Sequence, residues 1–441
     1  MLHWISSPTK KGKKKLKRIK IITLGCSKNS VDTEHLLAAL PPEEFCVVQD
    51  APVDYLLYNT CGFIGDAKEE SIQAVFEGVE AKKRGEVTNL AVFGCLSQRY
   101  AAQMPELIPE VDAWFGARDL NPVLRYLGAP PSRFIARRQE QHKGYAYLKI
   151  SEGCDRRCSY CAIPFIRGAH RSVPIEDLEA EARQLVGEGV SELILIAQDT
   201  TFYGLDIYGK RTLAALLERL SAIEGVERIR IHYSYPSDFP EDVLEQMADN
   251  PKVCKYLDIP LQHISDKVLD NMHRHIDGAR TRALIARLRE KVPGVVLRTT
   301  MIVGHPGEGP EEFEELLDFV RWARFERLGA FCYSEEEGTW GASHLKDDVP
   351  EEEKRRRLDA LMSLQADISL SFNQSRVGSV VRVLVDDIVD GTLVCRSEGE
   401  SPDVDGEILV KTERADEKLI GSYIDVRITS ADEYDLRAVQ L

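Results

Sequence analysis

Three cysteines lie close together near the middle of the chain, at Cys154, Cys158 and Cys161. Three and two residues separate them, and they follow an apolar run at residues 145–150. A loop with this spacing can place three thiolates on one face of an iron–sulfur cube, which leaves the fourth iron free for a small molecule. The alternatives are a disulfide cluster or a zinc knuckle, but zinc sites usually add a second Cys or His pair about 12 to 20 residues away, and His170 has no such partner. We therefore predict an open iron–sulfur cluster.

A second set of three cysteines lies upstream, at Cys26, Cys61 and Cys95. Each follows a short apolar run, at residues 21–24, 55–58 and 90–93, and amphipathic segments at 30–40 and 67–84 separate the runs. Strands that alternate with helices predict a parallel α/β sheet, whose strands end at one common edge. The three thiols are therefore expected to converge and to form a second cluster site, with three separate buried cysteines as the alternative. The remaining cysteines are interpreted as structural: Cys46, Cys254, Cys332 and Cys395.

The composition limits the class of protein. A length of 441 residues predicts two to three domains, and the apolar and charged fractions of 43% and 29% are typical of a soluble globular chain. We find no apolar run long enough for a membrane helix and no signal-peptide pattern, so ten cysteines favour a reducing, cytoplasmic location. The net charge of −15 disfavours nucleic acid in general. Eight Lys or Arg at residues 10–20 predict a flexible basic tail over residues 1–18 and leave a weak RNA contact open.

The middle of the chain repeats one pattern six times. After Pro130-Pro131 and a polar linker that runs to residue 141, six apolar runs alternate with amphipathic segments, for example at 174–188, 213–222, 240–248, 279–291 and 311–324. The runs are residues 145–150, 193–197, 229–233, 256–261, 295–303 and 328–333. Six β/α units predict a partial barrel with its active residues at the carboxyl ends of the strands. We assign polar residues to these carboxyl ends at 198–200, 234–235, 262–263, 298–300 and 304–308.

The end of the chain changes character. Residues 351–374 predict a long helix, and from residue 375 short β-rich runs at 380–385, 393–395, 408–410, 423–428 and 436–439 predict a small all-β barrel. Residues 375–441 hold 8 Lys or Arg against 15 Asp or Glu. Such a module repels RNA and attracts a basic protein.

The middle cysteine motif, with Tyr160 before its last cysteine, resembles the radical S-adenosylmethionine (SAM) superfamily. With the upstream motifs at residues 23–29, 59–64 and 93–96, nearly the whole chain resembles the methylthiotransferases. That resemblance implies an N-terminal domain at 19–128 with an auxiliary [4Fe–4S] cluster, a radical SAM domain at 140–372 that is a partial (β/α)6 TIM-like barrel, and a TRAM barrel at 375–441. It implies two [4Fe–4S] clusters and SAM as cofactors.

The resemblance also implies roles for single residues. Cys154, Cys158 and Cys161 would hold the cluster that cleaves SAM to a 5′-deoxyadenosyl radical, and Cys26, Cys61 and Cys95 the cluster involved in sulfur delivery. For SAM itself we predict Tyr160 against the adenine, together with Gln198 and Arg298. Gly304 permits close approach of the backbone to a ligand. Arg167 and Arg171 flank the loop and are interpreted either as partners of a SAM or substrate carboxylate or as surface salt bridges.

Two branches of the methylthiotransferases differ in substrate. One modifies adenosine in tRNA, and the other adds a methylthio group to the β-carbon of an aspartate on the strongly basic small-subunit ribosomal protein number twelve. The motifs at 24–29, 198–204 and 258–263 resemble the second branch, and the acidic C-terminal module favours it as well. We therefore predict the ribosomal protein as substrate, with an electron donor as second partner and tRNA modification as the alternative. His305 departs from the apolar aromatic usual for the family, and an iron–sulfur electron carrier or zinc scaffold is the non-catalytic alternative.

Overall fold

The computed structural model describes residues 15–139, 144–412 and 416–441. Most of the predicted basic tail and part of the linker that runs to residue 141 lie outside these ranges. The predicted fold class is confirmed: two separate parallel sheets with helices are followed by a closed all-β barrel. None of the helices in these ranges is both long and apolar enough to cross a membrane.

The N-terminal unit is a five-stranded sheet whose paired strands all run parallel, in the order β2-β1-β3-β4-β5. Its strands alternate with helices as the sequence predicts, although the first strand begins at Lys17, inside the range predicted as a tail. The strands are β1 (Lys17–Thr23), β2 (Phe45–Val47), β3 (Val53–Thr60), β4 (Val87–Gly94) and β5 (Ala113–Trp114). The helices are α1 (Ser27–Ala38), α2 (Gly65–Lys83), α3 (Cys95–Arg99), α4 (Met104–Leu107) and α5 (Asn121–Leu127).

The middle unit is a six-stranded parallel sheet in which the strands follow one another in chain order. Its central strands are mostly apolar because both faces are covered: every residue of Glu192–Ile196 is buried, and its one charged residue, Glu192, pairs with Arg230 and Arg396. The six strands are β6 (Tyr145–Lys149), β9 (Glu192–Ile196), β10 (Arg228–Ile231), β11 (Val253–Asp258), β12 (Val296–Val303) and β13 (Arg327–Cys332). Two short antiparallel strands, β7 (Ser151–Glu152) and β8 (Arg171–Ser172), flank the cysteine loop.

Helices cover this sheet and link it to the last unit. The amphipathic segments predicted between the runs are helical, with bounds that differ by one or two residues, and the long predicted helix is α15. The helices are α6 (Ile163–Ile166), α7 (Ile175–Gly187), α8 (Leu205–Tyr208), α9 (Leu213–Ser221), α10 (Glu241–Asp249), α11 (Asp266–Asn271), α12 (Gly278–Lys291), α13 (Pro310–Ala323), α14 (Trp340–His344) and α15 (Glu351–Ser375).

The C-terminal unit is a closed barrel of five strands in the order β14-β15-β16-β18-β17. Its core is apolar, with Val383, Leu393 and Ile408 fully buried. It contacts the middle sheet through buried polar pairs, for example the Tyr256 hydroxyl, which donates to Asp405 Oδ2 at 2.7 Å. The strands are β14 (Val380–Val389), β15 (Thr392–Arg396), β16 (Ile408–Lys411), β17 (Tyr423–Ala431) and β18 (Leu436–Gln440).

Candidate active site

The middle cysteines lie on one tight loop between β7 and α6. The loop is closed by backbone hydrogen bonds, from Cys154 N to Gly168 O at 3.0 Å and from Cys161 N to Cys158 O at 3.1 Å. Gly153 has φ of +80°, and a Cβ there would lie 2.1 Å from the carbonyl oxygen of Ala169, so only glycine fits. Burial and then the neighbouring acidic groups Asp199 and Cys158 raise the pKa of Cys154 to about 12. The loop thus gathers these three half-buried thiols.

The upstream cysteines converge from three strand ends. Cys26 is the N-cap of α1, Cys61 follows β3, and Cys95 begins α3 directly after β4. Gly25 has φ of +89°, and a Cβ there would lie 2.7 Å from Cys61 Cβ and 3.0 Å from its Sγ. Burial, opposed by Arg167 and assisted by the nearby thiols of Cys26 and Cys61, raises the pKa of Cys95 to about 11. The strand-end positions therefore do bring the three thiols together.

Both triads line one cavity of about 300 Å³. All six cysteines contribute to its wall, together with tyrosines and polar side chains that follow strands of the middle sheet. Four of the residues that line it are cationic, namely Lys28, Arg156, Arg167 and Arg274, and none is Asp or Glu. In a chain with a net charge of −15, this is a local positive site that suits anionic groups.

Each triad supplies the thiol ligands that an iron–sulfur cluster uses. No group of three His, Cys, Asp or Glu side chains in the described ranges is arranged to hold one metal ion. In a [4Fe–4S] cube each thiolate binds a different iron, so its ligands stand further apart than those of a single ion. His170, the one candidate for a zinc ligand, instead pairs its Nε2 with Ser172 Oγ at 3.0 Å. Three cysteines in each triad leave one iron of a cube without a protein ligand.

In each triad, one sulfur accepts a hydrogen bond from a buried arginine, and the two arginines are different. Arg167 Nε lies 3.3 Å from Cys95 Sγ, and Arg274 Nη1 lies 3.4 Å from Cys158 Sγ. Arg167 comes from the middle unit and also binds Asp32 of α1, at 2.7 Å, and Glu152, at 3.0 Å. Arg167 is therefore neither a surface salt bridge nor free for a ligand carboxylate, whereas Arg171 is exposed. This ionic network fixes the two cysteine sites relative to each other.

Of the residues predicted for SAM, the structure places Tyr160 and Gln198 in the cavity wall. Gln198 Nε2 donates to Glu152 Oε1 at 2.6 Å, while its Oε1 is buried without a hydrogen-bond partner. A buried orphan acceptor beside a cavity is free to receive a donor from a ligand, because leaving it unpaired is costly. The ring of Tyr160 contacts the edge of His305, and its hydroxyl accepts from Arg274 at 3.4 Å.

Arg298 and Gly304 lie elsewhere. Arg298 is the third residue of β12, binds Asp258 at 2.8 Å and lies 3.6 Å from Asp405 of the C-terminal barrel, beside a different cavity. A Cβ on Gly304 would lie 2.3 Å from Cγ of Lys354, so the close approach there is to α15. Neither residue lines the six-cysteine cavity, and their predicted contact with SAM stays a prediction.

Several residues of the cavity wall were not predicted. Arg156 lies inside the middle cysteine motif and Lys28 two residues after Cys26, so their closeness to the cysteines in sequence was a usable signal. Arg274 has no such signal, and only the folded chain brings it to the site. Two wall residues, Tyr233 and Gln262, have positive φ angles of 57° and 76°. Backbone strain at residues other than glycine gathers at functional sites, and no sequence pattern announces it.

Three family descriptions match separate parts of the chain. Residues 148–320 match the radical SAM superfamily, residues 18–116 match the uncharacterized protein family UPF0004, and residues 377–440 match the TRAM domain. The structure of the radical SAM methyltransferase TsrM from Kitasatospora setae is similar with a TM-score of 0.54 at 13% identity, over 92% of this chain and 84% of that one. At this identity the likeness shows a shared fold.

Curated relatives match almost end to end. The ribosomal protein uS12 methylthiotransferase RimO of Porphyromonas gingivalis is 50% identical over 429 residues, which cover 96% of this chain and 98% of that protein. Proteins of the same name from Bacteroides fragilis and Flavobacterium johnsoniae are each 48% identical, over 96% of this chain and 99% and 98% of their own lengths. With the superfamily match, these relatives indicate an iron–sulfur cluster and SAM as cofactors.

Proposed function

Because the chain belongs to the RimO family of radical SAM methylthiotransferases, we propose that it adds a methylthio group to the β-carbon of an aspartate in ribosomal protein uS12. The observation that carries the proposal is that one cavity is lined by both cysteine triads and by no carboxylate. The hydrogen on that carbon is too weakly acidic for an ordinary base. The cofactors of the family supply a 5′-deoxyadenosyl radical from SAM for such a step.

Each triad has its own task in this proposal. Cys154, Cys158 and Cys161 hold the cluster that meets SAM, and Cys26, Cys61 and Cys95 hold a second cluster, beside which the sulfur is delivered. Clusters held by the two triads would share one cavity, whose wall has predominantly apolar surface and would limit the access of water to the reactive carbon. Tyr160 contacts the adenine of SAM, and the orphan Oε1 of Gln198 accepts a hydrogen bond from its amino group.

Charge supports a protein substrate over tRNA. The C-terminal barrel exposes acidic side chains. Burial and the negative charges of Asp435, Asp386 and Asp387 raise the pKa of Glu407, as expected where carboxylates repel one another. Such a surface attracts a basic ribosomal protein and repels phosphates. A ribosomal substrate places the reaction in the cytoplasm, with an external electron donor as second partner.

The test is a comparison of products. The reconstituted protein is incubated anaerobically with SAM, a reductant, sulfide and either a peptide from the uS12 segment that carries the aspartate or total tRNA. Mass spectrometry should find the methylthio group on the aspartate, and a Cys158→Ala variant should give none. Methylthio-adenosine in the tRNA with an unmodified peptide would assign the chain to the other substrate class.

A further inference from the structure

Lys28 has an unusual position in the six-cysteine cavity. It is the second residue of α1, lines the cavity, and is only 8% exposed. Its ammonium lies 3.3 Å from the ring centroid of Tyr233 but makes no hydrogen bond or ion pair with any residue of the described ranges. A buried lysine is ordinarily paired with an anion, because removing an ammonium from water costs more than one aromatic contact recovers.

The other three cations of the wall already have acidic or thiol partners. Arg156 binds Asp199 at 2.7 Å, Arg167 binds Asp32 and Glu152, and Arg274 donates to the thiol of Cys158. Among the four, only Lys28 has no such partner. Within the part of the chain that the structure describes, Lys28 is thus the one cation of this cavity wall that is left for an anionic ligand.

The ammonium of Lys28 makes no hydrogen bond to a thiol of the upstream triad among the described residues. The sulfur of Cys95 accepts from Arg167, at 3.3 Å. The ammonium of Lys28 instead lies over Tyr233, a residue of the middle unit that follows β10. It thus extends from the N-terminal unit to the middle unit, within the cavity that both triads line.

We infer that Lys28 binds the carboxylate of the aspartate that is modified; this inference rests on the proposed function. The carboxylate carbon is bonded to the β-carbon, so a fixed carboxylate holds the reacting C–H bond in place, which is where orientation contributes most to rate. The same contact rejects asparagine, because an amide leaves the ammonium without a counter-charge. Tyr233 forms the aromatic side of this carboxylate site.

SAM also carries a carboxylate, so the experiment separates the two sources. Binding of the uS12 peptide to the cluster-loaded full chain is measured by fluorescence anisotropy, with Asp and with Asn at the modified position. The variants are Lys28→Met, which keeps the length without the charge, and Lys28→Arg, which keeps the charge. Lys83→Met, at an exposed lysine of the same unit, is the matched control. SAM affinity and the electron paramagnetic resonance (EPR) spectrum of each cluster are recorded for every variant.

We expect Lys28→Met to weaken binding of the Asp peptide by about tenfold or more, with little change for the Asn peptide, and Lys28→Arg to restore much of the preference. A loss of SAM affinity with the Asp preference intact would assign the ammonium to SAM. A changed spectrum of the upstream cluster with that preference intact would assign it to the cluster, and either result overturns the inference. If wild type neither prefers the Asp peptide nor modifies it, the proposed function itself fails.

Discussion

The two cysteine triads reach the same cavity by different routes. Cys154, Cys158 and Cys161 belong to one loop of eight residues, whereas Cys26, Cys61 and Cys95 come from three separate strand ends of a sheet. Local turns hold the first triad, and strand register holds the second. In each, a buried arginine donates a hydrogen bond to one sulfur, and one glycine adopts a conformation that leaves no room for a Cβ. The comparison shows that a local motif and a long-range topology can build equivalent sites.

The largest expected effect separates the tasks of the triads. Cys158→Ala should abolish SAM cleavage, because the cluster that meets SAM loses a ligand. Cys61→Ala should still cleave SAM and yet form no methylthio product. The measurement is 5′-deoxyadenosine and product from the same anaerobic reaction, analysed by liquid chromatography. Equal loss of cleavage in both variants would contradict the division of labour.

A glycine pair tests how each triad is held. Gly25→Ala and Gly153→Ala should each cost about 2 to 4 kcal/mol locally, because both need a left-handed backbone and both place a Cβ within 2.7 Å of a neighbour. We expect each variant to lose iron from its own triad only, as measured by iron content and EPR. Gly85→Ala is the matched control, with φ of +78° and open space around its Cβ. Loss of both clusters from either variant would mean that the triads are not held independently.

The arginine pair tests the electronic likeness of the triads. A hydrogen bond from a cation stabilises the more negative, reduced cluster, so its loss lowers the reduction potential. Arg167→Gln should lower the potential of the upstream cluster and Arg274→Gln that of the other, each by roughly tens of millivolts. EPR-monitored redox titration measures both, with Arg118→Gln as control, since Arg118 donates only to backbone carbonyls. A shift in the distant cluster alone would contradict the assignment.

The smallest expected effect is on the pH dependence of stability and concerns His305, whose ring contacts Tyr160 of the cavity wall. Burial lowers the pKa of His305 to about 4, so the folded protein holds it neutral while the unfolded chain takes up a proton near pH 6.5. Its contribution to stability therefore falls as pH drops from about 6.5 towards 4, by about 1 kcal/mol at pH 5.5. His305→Phe should remove this loss, as measured by urea unfolding at pH 7 and 5.5. An unchanged pH dependence would show that the ring is not buried in its neutral form.

Much of this architecture could be predicted from the sequence. Alternating apolar runs and amphipathic segments predict both parallel sheets. Cys26, Cys61 and Cys95 each follow such a run, and this shared position predicts that they converge. Family membership confirms the predicted enzyme class. The predicted bounds of the helices agree less well with the structure. α1 begins at Ser27 and not at residue 30, because Cys26 itself is its N-cap.

The predictions for single side chains depended on where each strand ends. The sequence pattern predicts Arg298 at a strand end, but β12 continues to Val303. The side chain therefore lies near the start of the strand and contacts Asp258 and Asp405. Arg274 and Lys28 reach the cavity through loop and helix directions that no periodicity encodes. A residue's place in the chain order of elements is thus predictable, whereas the direction of its side chain follows only from packing.

The most direct test of two equivalent cluster sites is the iron content of three proteins, measured with Mössbauer spectra after anaerobic reconstitution. Wild type should bind about eight irons per chain as two [4Fe–4S] clusters, and each triple Cys→Ala variant, at 26/61/95 or at 154/158/161, about four. The spectra of the two variants should add up to that of wild type. About four irons in wild type, or a triple variant that keeps about eight, would contradict the account.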